Sequence, residues 1–247
     1  MLSLGDSERQ ALLRDKMIKK ETSERSMYVS KILSVLKPQM KVLDIGCGTA
    51  HIIQELATSN GSSLFIGLDI SPAMLKIADD NTTNLHNMGL VEGDGHRLPF
   101  PDYCFDIVIT KLANYSPQEA HRVLRRQGYF FEHSLGPEAD REIKEFFPER
   151  IEKENFFFPK NLKEWKQEVC EDIIEAGFMV SRVDDYKEDE YYEDEDELMD
   201  LIEMVPLVKD FDRQKDREKI RELAEKYGNE EGVKITWHYY IMMARKS

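Results

Sequence analysis

The sequence predicts an α/β fold: a mostly parallel, seven-stranded sheet with an antiparallel final hairpin and helices on both faces. Three observations carry this. Short apolar runs of strand length alternate with helical patterns along the chain, and unpatterned apolar strands of this kind belong to parallel sheets covered on both sides. A glycine-rich turn, Gly46-Cys47-Gly48, joins the first apolar run to a helical stretch. The last two runs are richer in aromatic and polar residues, which suits an antiparallel edge.

From Ser7 to about Leu36 the pattern is helical, broken near Glu21–Ser26 and stopped by Pro38. It makes an N-terminal helical arm over residues 1–38. Strands are predicted at Lys41–Ile45, Leu64–Asp69, Leu90–Glu92, Phe105–Thr110, Gly128–Glu132, Phe178–Asp184 and Lys234–Ala244. Helices are predicted at His51–Ala57, Ala73–Asn81, Gln118–Arg126 and Leu162–Ala176. Residues 185–232, between the last two strands, are too long for a hairpin loop. Their acidic opening reads as a solvated helix face or helix N-terminus, with a surface for a cationic substrate or partner as the other reading. The spacing of Leu198, Leu201, Ile202 and Val205 suggests a helix packed as a cap. All 247 residues are expected to form a single domain with this acidic helical insert.

Composition narrows the function. Hydrophobic residues make up 41% of the chain, enough for a globular core. The 34 lysines and arginines face 48 acids, a net charge of −14, which disfavours a nucleic-acid backbone as partner. Cys47, Cys104 and Cys170 lie far apart and show neither disulfide nor zinc spacing, so no metal is expected. The N-terminus has no apolar core of signal-peptide length and no run reaches membrane-spanning length. A soluble, cytoplasmic protein is the expectation.

The turn reads Gly46-Cys47-Gly48-Thr49-Ala50-His51. A dinucleotide fingerprint needs a third glycine where His51 stands, and no Gly-Lys-Ser/Thr follows to make a P-loop. Just upstream, Asp44 would repel a pyrophosphate but could accept from an ammonium or a water. That residue points to a cofactor with an amino-acid moiety. Asp69, at the end of the second strand, can accept from both ribose hydroxyls, as dehydrogenases also do. Asp94 follows a short strand, where it could accept from an adenine amino group.

Together "VLDIGCGTA", "GLDISPAMLKIA", "GDGHRLPFPDYCFDIVI" and "RVLRRQGYFF" resemble the class I S-adenosylmethionine-dependent methyltransferases, the large type 11 group, over about Lys41 to Glu132. The resemblance implies a Rossmann-like sheet and S-adenosylmethionine as cofactor, with S-adenosylhomocysteine as product. It also implies roles. Asp44, Gly46, Cys47 and Gly48 would hold the methionine end, and Asp69 the ribose. Ile70 would lie against the adenine, and Asp94 and Gly95 at its edge. Lys111 would approach the methionine portion through its backbone, and Tyr28 could close over the cofactor from the arm or pack in the core. Two departures stand out: Ala50 replaces the usual third glycine, and the short stretch from Leu112 to Arg122 implies a trimmed fourth helix.

Methyl transfer needs a positioned acceptor and a dry site, and needs a base only if the acceptor loses a proton. Asn114, Tyr115, Glu132 and His133 fall at the C-terminal ends of strands four and five, the ligand crevice of open α/β sheets. His133 and Tyr115 are the candidate catalytic residues, each with an ordinary packing role as its alternative. His51 is expected exposed or beside the cofactor, Trp237 and Tyr239 on one sheet face, and Phe156 to Pro159 in a pocket wall or loop packing. The leading reading is methyl transfer to a small molecule. Alternatives are an RNA or protein methyltransferase, a non-catalytic S-adenosylmethionine-binding protein, and, disfavoured by Asp44 and His51, a nicotinamide-dependent oxidoreductase.

Overall fold

The structure, a computed structural model, describes residues 8–18, 23–151, 162–205 and 207–247. Phe156 to Pro159 lie outside the described residues. The elements run α1 (Glu8–Ile18), α2 (Ser23–Leu33), β1 (Lys41–Ile45), α3 (His51–Ser59), β2 (Leu64–Asp69), α4 (Pro72–Thr82), β3 (Met88–Glu92), β4 (Phe105–Lys111), α5 (Pro117–Val123) and β5 (Leu124–Leu135). There follow α6 (Arg141–Phe146), α7 (Leu162–Glu175), β6 (Phe178–Tyr192), α8 (Glu195–Met204), α9 (Arg217–Tyr227), β7 (Gly228–Asn229) and β8 (Gly232–Lys246).

The sheet order is β3-β2-β1-β4-β5-β8-β6, with the two-residue β7 paired to β8. Strands β1 to β5 pair in parallel, and the C-terminal strands are antiparallel. The predicted α/β class and seven main strands are therefore present. β8 lies between β5 and β6, so β6 forms the edge. Successive strands run outward in opposite directions from β1 and β4, so the order reverses between these two. That reversal opens a crevice at their carboxyl ends, where ligands of open α/β sheets bind. No helix among the described residues is long and apolar enough to cross a membrane.

Two compact units make up the chain, one of Ser3–Ser134, Lys166–Asp184 and Ile241–Ser247, the other built on Leu135–Trp165 and Asp185–Tyr240. In the first, the central strands β1 and β4 are buried almost throughout, with Val42, Leu43, Ile45, Ile107, Val108 and Ile109 in the core. Each such side chain contributes about 1.5–3 kcal/mol on burial. The helices that follow β2 and β4 begin in the same way. Ser71 and Ser116 cap α4 and α5, each accepting from the amide three residues on, and a proline opens each helix. Helix α2 is fixed by Tyr28, whose hydroxyl lies 3.0 Å from the carbonyl of Thr110 and 3.1 Å from that of Phe131.

In the second unit, α8 and α9 bury Leu198, Leu201, Ile202, Ile220 and Leu223. Arg213 ties to Asp200 at 2.7 Å and Glu203 at 3.1 Å. Trp237 and Tyr239 do share one strand face, stacked with centroids 5.6 Å apart.

Two departures from the sequence reading have a clear physical cause. The predicted helix Gln118–Arg126 ends at Val123, and β5 starts at Leu124. The last-turn carbonyls are taken by other partners: Arg122 O and Val123 O accept from the amides of Tyr103 and Cys104, and His121 O accepts from Lys246 Nζ. The acidic stretch Asp185–Tyr192 is strand, not helix. Cross-strand partners favour it, with Lys234 3.0 Å from Asp189 and Tyr186 against Tyr239. Only from Asp194 does the acid run become a helix start, Asp194 accepting from the Glu197 amide at 2.9 Å.

Tyr28→Phe removes one hydroxyl and leaves the ring. It should lower stability by about 1–2 kcal/mol in urea unfolding without changing the circular-dichroism spectrum. A loss below about 0.3 kcal/mol would mean that the hydroxyl does not hold α2 to the sheet.

Candidate active site

The turn between β1 and α3 is built on left-handed backbone. Gly46 has φ of +74°, Gly48 +54° and Ala50 +70°. A Cβ on Gly46 would collide with that of Ala113, so glycine is required there for space as well as for φ. A Cβ on Gly48 would meet nothing within 4 Å: this backbone faces open space. Ala50 lacks glycine's freedom and is held left-handed by its surroundings.

The turn amides already have acceptors. Gly46 and Cys47 both donate to Leu68 O, at 2.7 and 2.9 Å. Gly48 donates to Asp69 Oδ2 at 2.8 Å, and Ala50 to Cys47 O at 2.8 Å. A phosphate-cradling turn needs its N–H groups aimed at the ligand; these four point into the protein. The geometry disfavours a pyrophosphate more firmly than His51 alone could.

Asp44 lies one position before the end of β1, 3% exposed. Among the described residues no hydrogen bond reaches its carboxylate. Burial, then the nearby Asp69 charge, push its pKa up to about 8, and Lys111 pulls the other way. The same charge reaches outward. Burial and Asp44 raise the Tyr28 phenol, and burial, Asp44 and Asp69 raise the Cys47 thiol. Burial, and to a lesser degree Lys111, hold His133 well below the usual histidine range, so it is neutral at pH 7. Asp44, Asp69, Cys47, Lys111, Tyr28 and His133 thus form one electrostatic cluster. Ionised, a carboxylate buried here would need a cation beside it, and the backbone at Gly48 in the adjoining turn is open. These residues fit the amino-acid end of S-adenosylmethionine.

The other predicted cofactor residues lie along the crevice. Asp69 accepts from Gly48 N–H and, through Oδ1, from Ser71 N–H at 2.9 Å. Ile70, next in sequence, presents an apolar side chain 51% exposed. Asp94 is exposed and accepts from the His96 amide at 2.8 Å, which with the His96 side chain keeps its carboxyl below the ordinary range. At Gly95 a Cβ would stand 2.6 Å from Asn114 O and 3.3 Å from Tyr115 Cα, so the loops after β3 and β4 press together there. Lys111 ends β4, and the next residue, Leu112, has φ of +53° and donates its amide to His133 O at 2.9 Å.

The acceptor-side candidates separate. His133 is fully buried, stacked on Tyr28 with centroids 5.2 Å apart. Tyr115 reaches Glu132 Oε2 at 3.1 Å, its ring over Phe130. Asn114 is exposed. His51 is not exposed as one reading had it: its Nε2 lies 2.8 Å from Asp15 Oδ1. Asp15 and Asn81 are site-adjacent residues that sequence reasoning missed. They lie 36 and 30 positions from His51, and no local pattern links them to the turn.

A family model for the methyltransferase domain matches residues 36–204. The demethylmenaquinone methyltransferase of Staphylococcus carnosus is 39% identical over 101 residues, 38% of this chain and 42% of that protein. The malonyl-[acyl-carrier protein] O-methyltransferase 1 of Coxiella burnetii is 29% identical over 113 residues, 43% of this chain and 37% of its own. The match therefore spans less than half the length of these relatives. In three dimensions the chain is similar to the YcgJ protein of Bacillus subtilis, with TM-score 0.58 and 20% identity over 90% of this chain and 97% of that one. It is also similar to the [4+2]-cyclase SpnF, with TM-score 0.54 and 18% identity over 86% and 77%. At those identities the likeness is one of fold alone. The family match covers more than half of the sequence, and the chain belongs to the methyltransferase domain family.

Proposed function

We propose that the protein transfers a methyl group from S-adenosylmethionine to a small-molecule acceptor. The buried Asp44 carboxylate carries this reading, set under a glycine turn whose amides are already bonded within the protein. Such a site suits an ammonium and not a pyrophosphate. The family match and the acceptors in the relatives' names, demethylmenaquinone and malonyl-[acyl-carrier protein], one a small molecule and the other a small acyl group on a carrier, support the same class.

When bound, S-adenosylmethionine supplies a methyl group already activated on a sulfonium. The chain's share is to bind, orient and exclude water. Asp44 would take the ammonium, with Gly46, Cys47 and Gly48 shaping the methionine end and Lys111 beside it through its backbone. Asp69, whose oxygens accept the amides of Gly48 and Ser71, would hold the ribose. Ile70 would cover one adenine face, and Asp94 and Gly95 its edge. Tyr28 would close the floor under the methionine end. His133, neutral and stacked on Tyr28, would accept a proton from an acceptor hydroxyl or amine where one must leave, and Tyr115 would orient the acceptor. The three free cysteines fit a place in the cytoplasm.

Isothermal titration with S-adenosylmethionine tests the reading directly: saturable binding in the micromolar range is expected, and no heat at sub-millimolar ligand would sink it.

Asp44 gives a second test with a defined sign. Its folded-state pKa of about 8 stands above the unfolded value of 3.8. The folded protein therefore holds a proton there that the unfolded chain has released. The stabilisation is full below about pH 4 and is lost as pH rises toward 8, at about 1.4 kcal/mol for each pH unit crossed. Asp44→Asn should melt higher than wild type at pH 8, with the gap closing toward pH 4. The same variant should bind the cofactor at least about tenfold more weakly, since it lacks the charge for the ammonium. Equal melting temperatures at pH 8 together with unchanged affinity would refute the role given to Asp44.

A further inference from the structure

The turn is not held by its own residues alone. Asn81, near the end of α4, donates from Nδ2 to the carbonyl of Thr49 at 2.9 Å and to Asp15 Oδ1 at 3.2 Å. The same Asp15 oxygen meets His51 Nε2 at 2.8 Å. Gln54, one turn into α3, donates its side-chain amide to the Asn81 carbonyl. Asp15 stands on α1, yet it is only 8% exposed. Thr49 and His51 are the two neighbours of Ala50, the non-glycine residue held at φ of +70°. One network thus grips the chain on both sides of its strained position. Left-handed backbone at an alanine persists only where the surroundings over-determine it.

We propose that Asn81 and Asp15 are positioning residues for the cofactor turn. Asn81 fixes the Thr49 carbonyl, Asp15 fixes the His51 ring, and together they keep Ala50 left-handed and the Gly48 backbone open. Helix α1 is thereby part of the binding site's support, through Asp15. The inference rests on reading this turn as the S-adenosylmethionine site. It gives His51 a task that its place in the motif does not explain: it is the turn's handle for α1. Were Ala50 free to relax toward right-handed backbone, the carbonyl of Thr49 would swing and the opening at Gly48 would be reshaped.

The experiment is titration of S-adenosylhomocysteine into wild type, Asn81→Ala, Asp15→Ala and Asp15→Asn at 25 °C, with melting temperatures measured alongside. Asn81→Ala should weaken binding about tenfold and Asp15→Ala about threefold, the scale of one or two lost hydrogen bonds. Asp15→Asn keeps an acceptor oxygen and should return to within twofold of wild type. A purely structural role would lower the melting temperature and leave the affinity of the folded protein unchanged. Affinities of both alanine variants within twofold of wild type would overturn the proposal. Asp15→Ala, on a helix whose Leu12 is exposed, decides the matter should Asn81→Ala fail to fold. If wild type itself shows no binding, the cofactor reading falls first and this one with it.

Discussion

One carbonyl, Leu68 O, accepts the amides of both Gly46 and Cys47, and the geometry around the turn depends on this pairing. It staples the chain leaving β1 to the neighbouring β2, beside the crevice that opens between β1 and β4. Because the turn bends that tightly, Gly46 lies against Ala113 of the loop after β4. Gly67 in β2 leaves room for the Cys47 side chain, since a Cβ there would stand 2.8 Å from Cys47 Sγ and push it aside. With the amides turned inward, whatever enters the crevice meets side-chain charge and open backbone, not a ring of N–H donors. The character of the site follows from that exchange.

Charge then takes the place the amides would have held. Asp44 sits in the core side of the turn with Asp69 as neighbour, an arrangement that opposes ionisation and so opposes folding near neutral pH. The second unit holds a buried carboxylate too, Asp140, pushed up to about 7 by burial against the pull of Lys144. There the cation is built in, four residues along the same helix start. At Asp44 the built-in cation, Lys111, leaves the carboxylate still raised. A buried carboxyl kept at such a cost to stability is the kind of trade that functional sites make.

The parallel core was legible in the sequence because its strands are apolar on both faces and its punctuation is chemical: Gly46 and Gly48, Ser71-Pro72, Ser116-Pro117. The positions of Asp44, Asp69 and Asp94 were legible for the same reason, each falling at or just after a strand end. Three features were not. Asp185–Tyr192 reads as an acid run, and only its partners on β8 reveal the strand. The helix before β5 ends early because Lys246, 125 positions away from His121, takes its carbonyl. Asp15 and Asn81 reach the turn from α1 and α4, and residues joined only by folding leave no periodic trace. Local chemistry is written in local sequence; support from a distance is not.

Strand alternation divides the acceptor side. In the parallel register Thr110 pairs with Glu132, and Lys111 with His133, and successive side chains point to opposite faces. Asp44 pairs with Ile109, two positions before Lys111, so Asp44, Lys111 and His133 share one face. Tyr28 lies on that face, stacked on His133 and within the field of Asp44. Glu132 and its partner Tyr115 belong to the other face, above Phe130. His133 thus feels the charge of Lys111 on its own face, while the Glu132 charge still reaches that face at the Tyr28 phenol. The two faces therefore differ in chemistry: a buried neutral imidazole on one, a hydroxyl–carboxylate pair on the other. The fold is shared with a [4+2]-cyclase, so the choice of reaction cannot lie in the sheet.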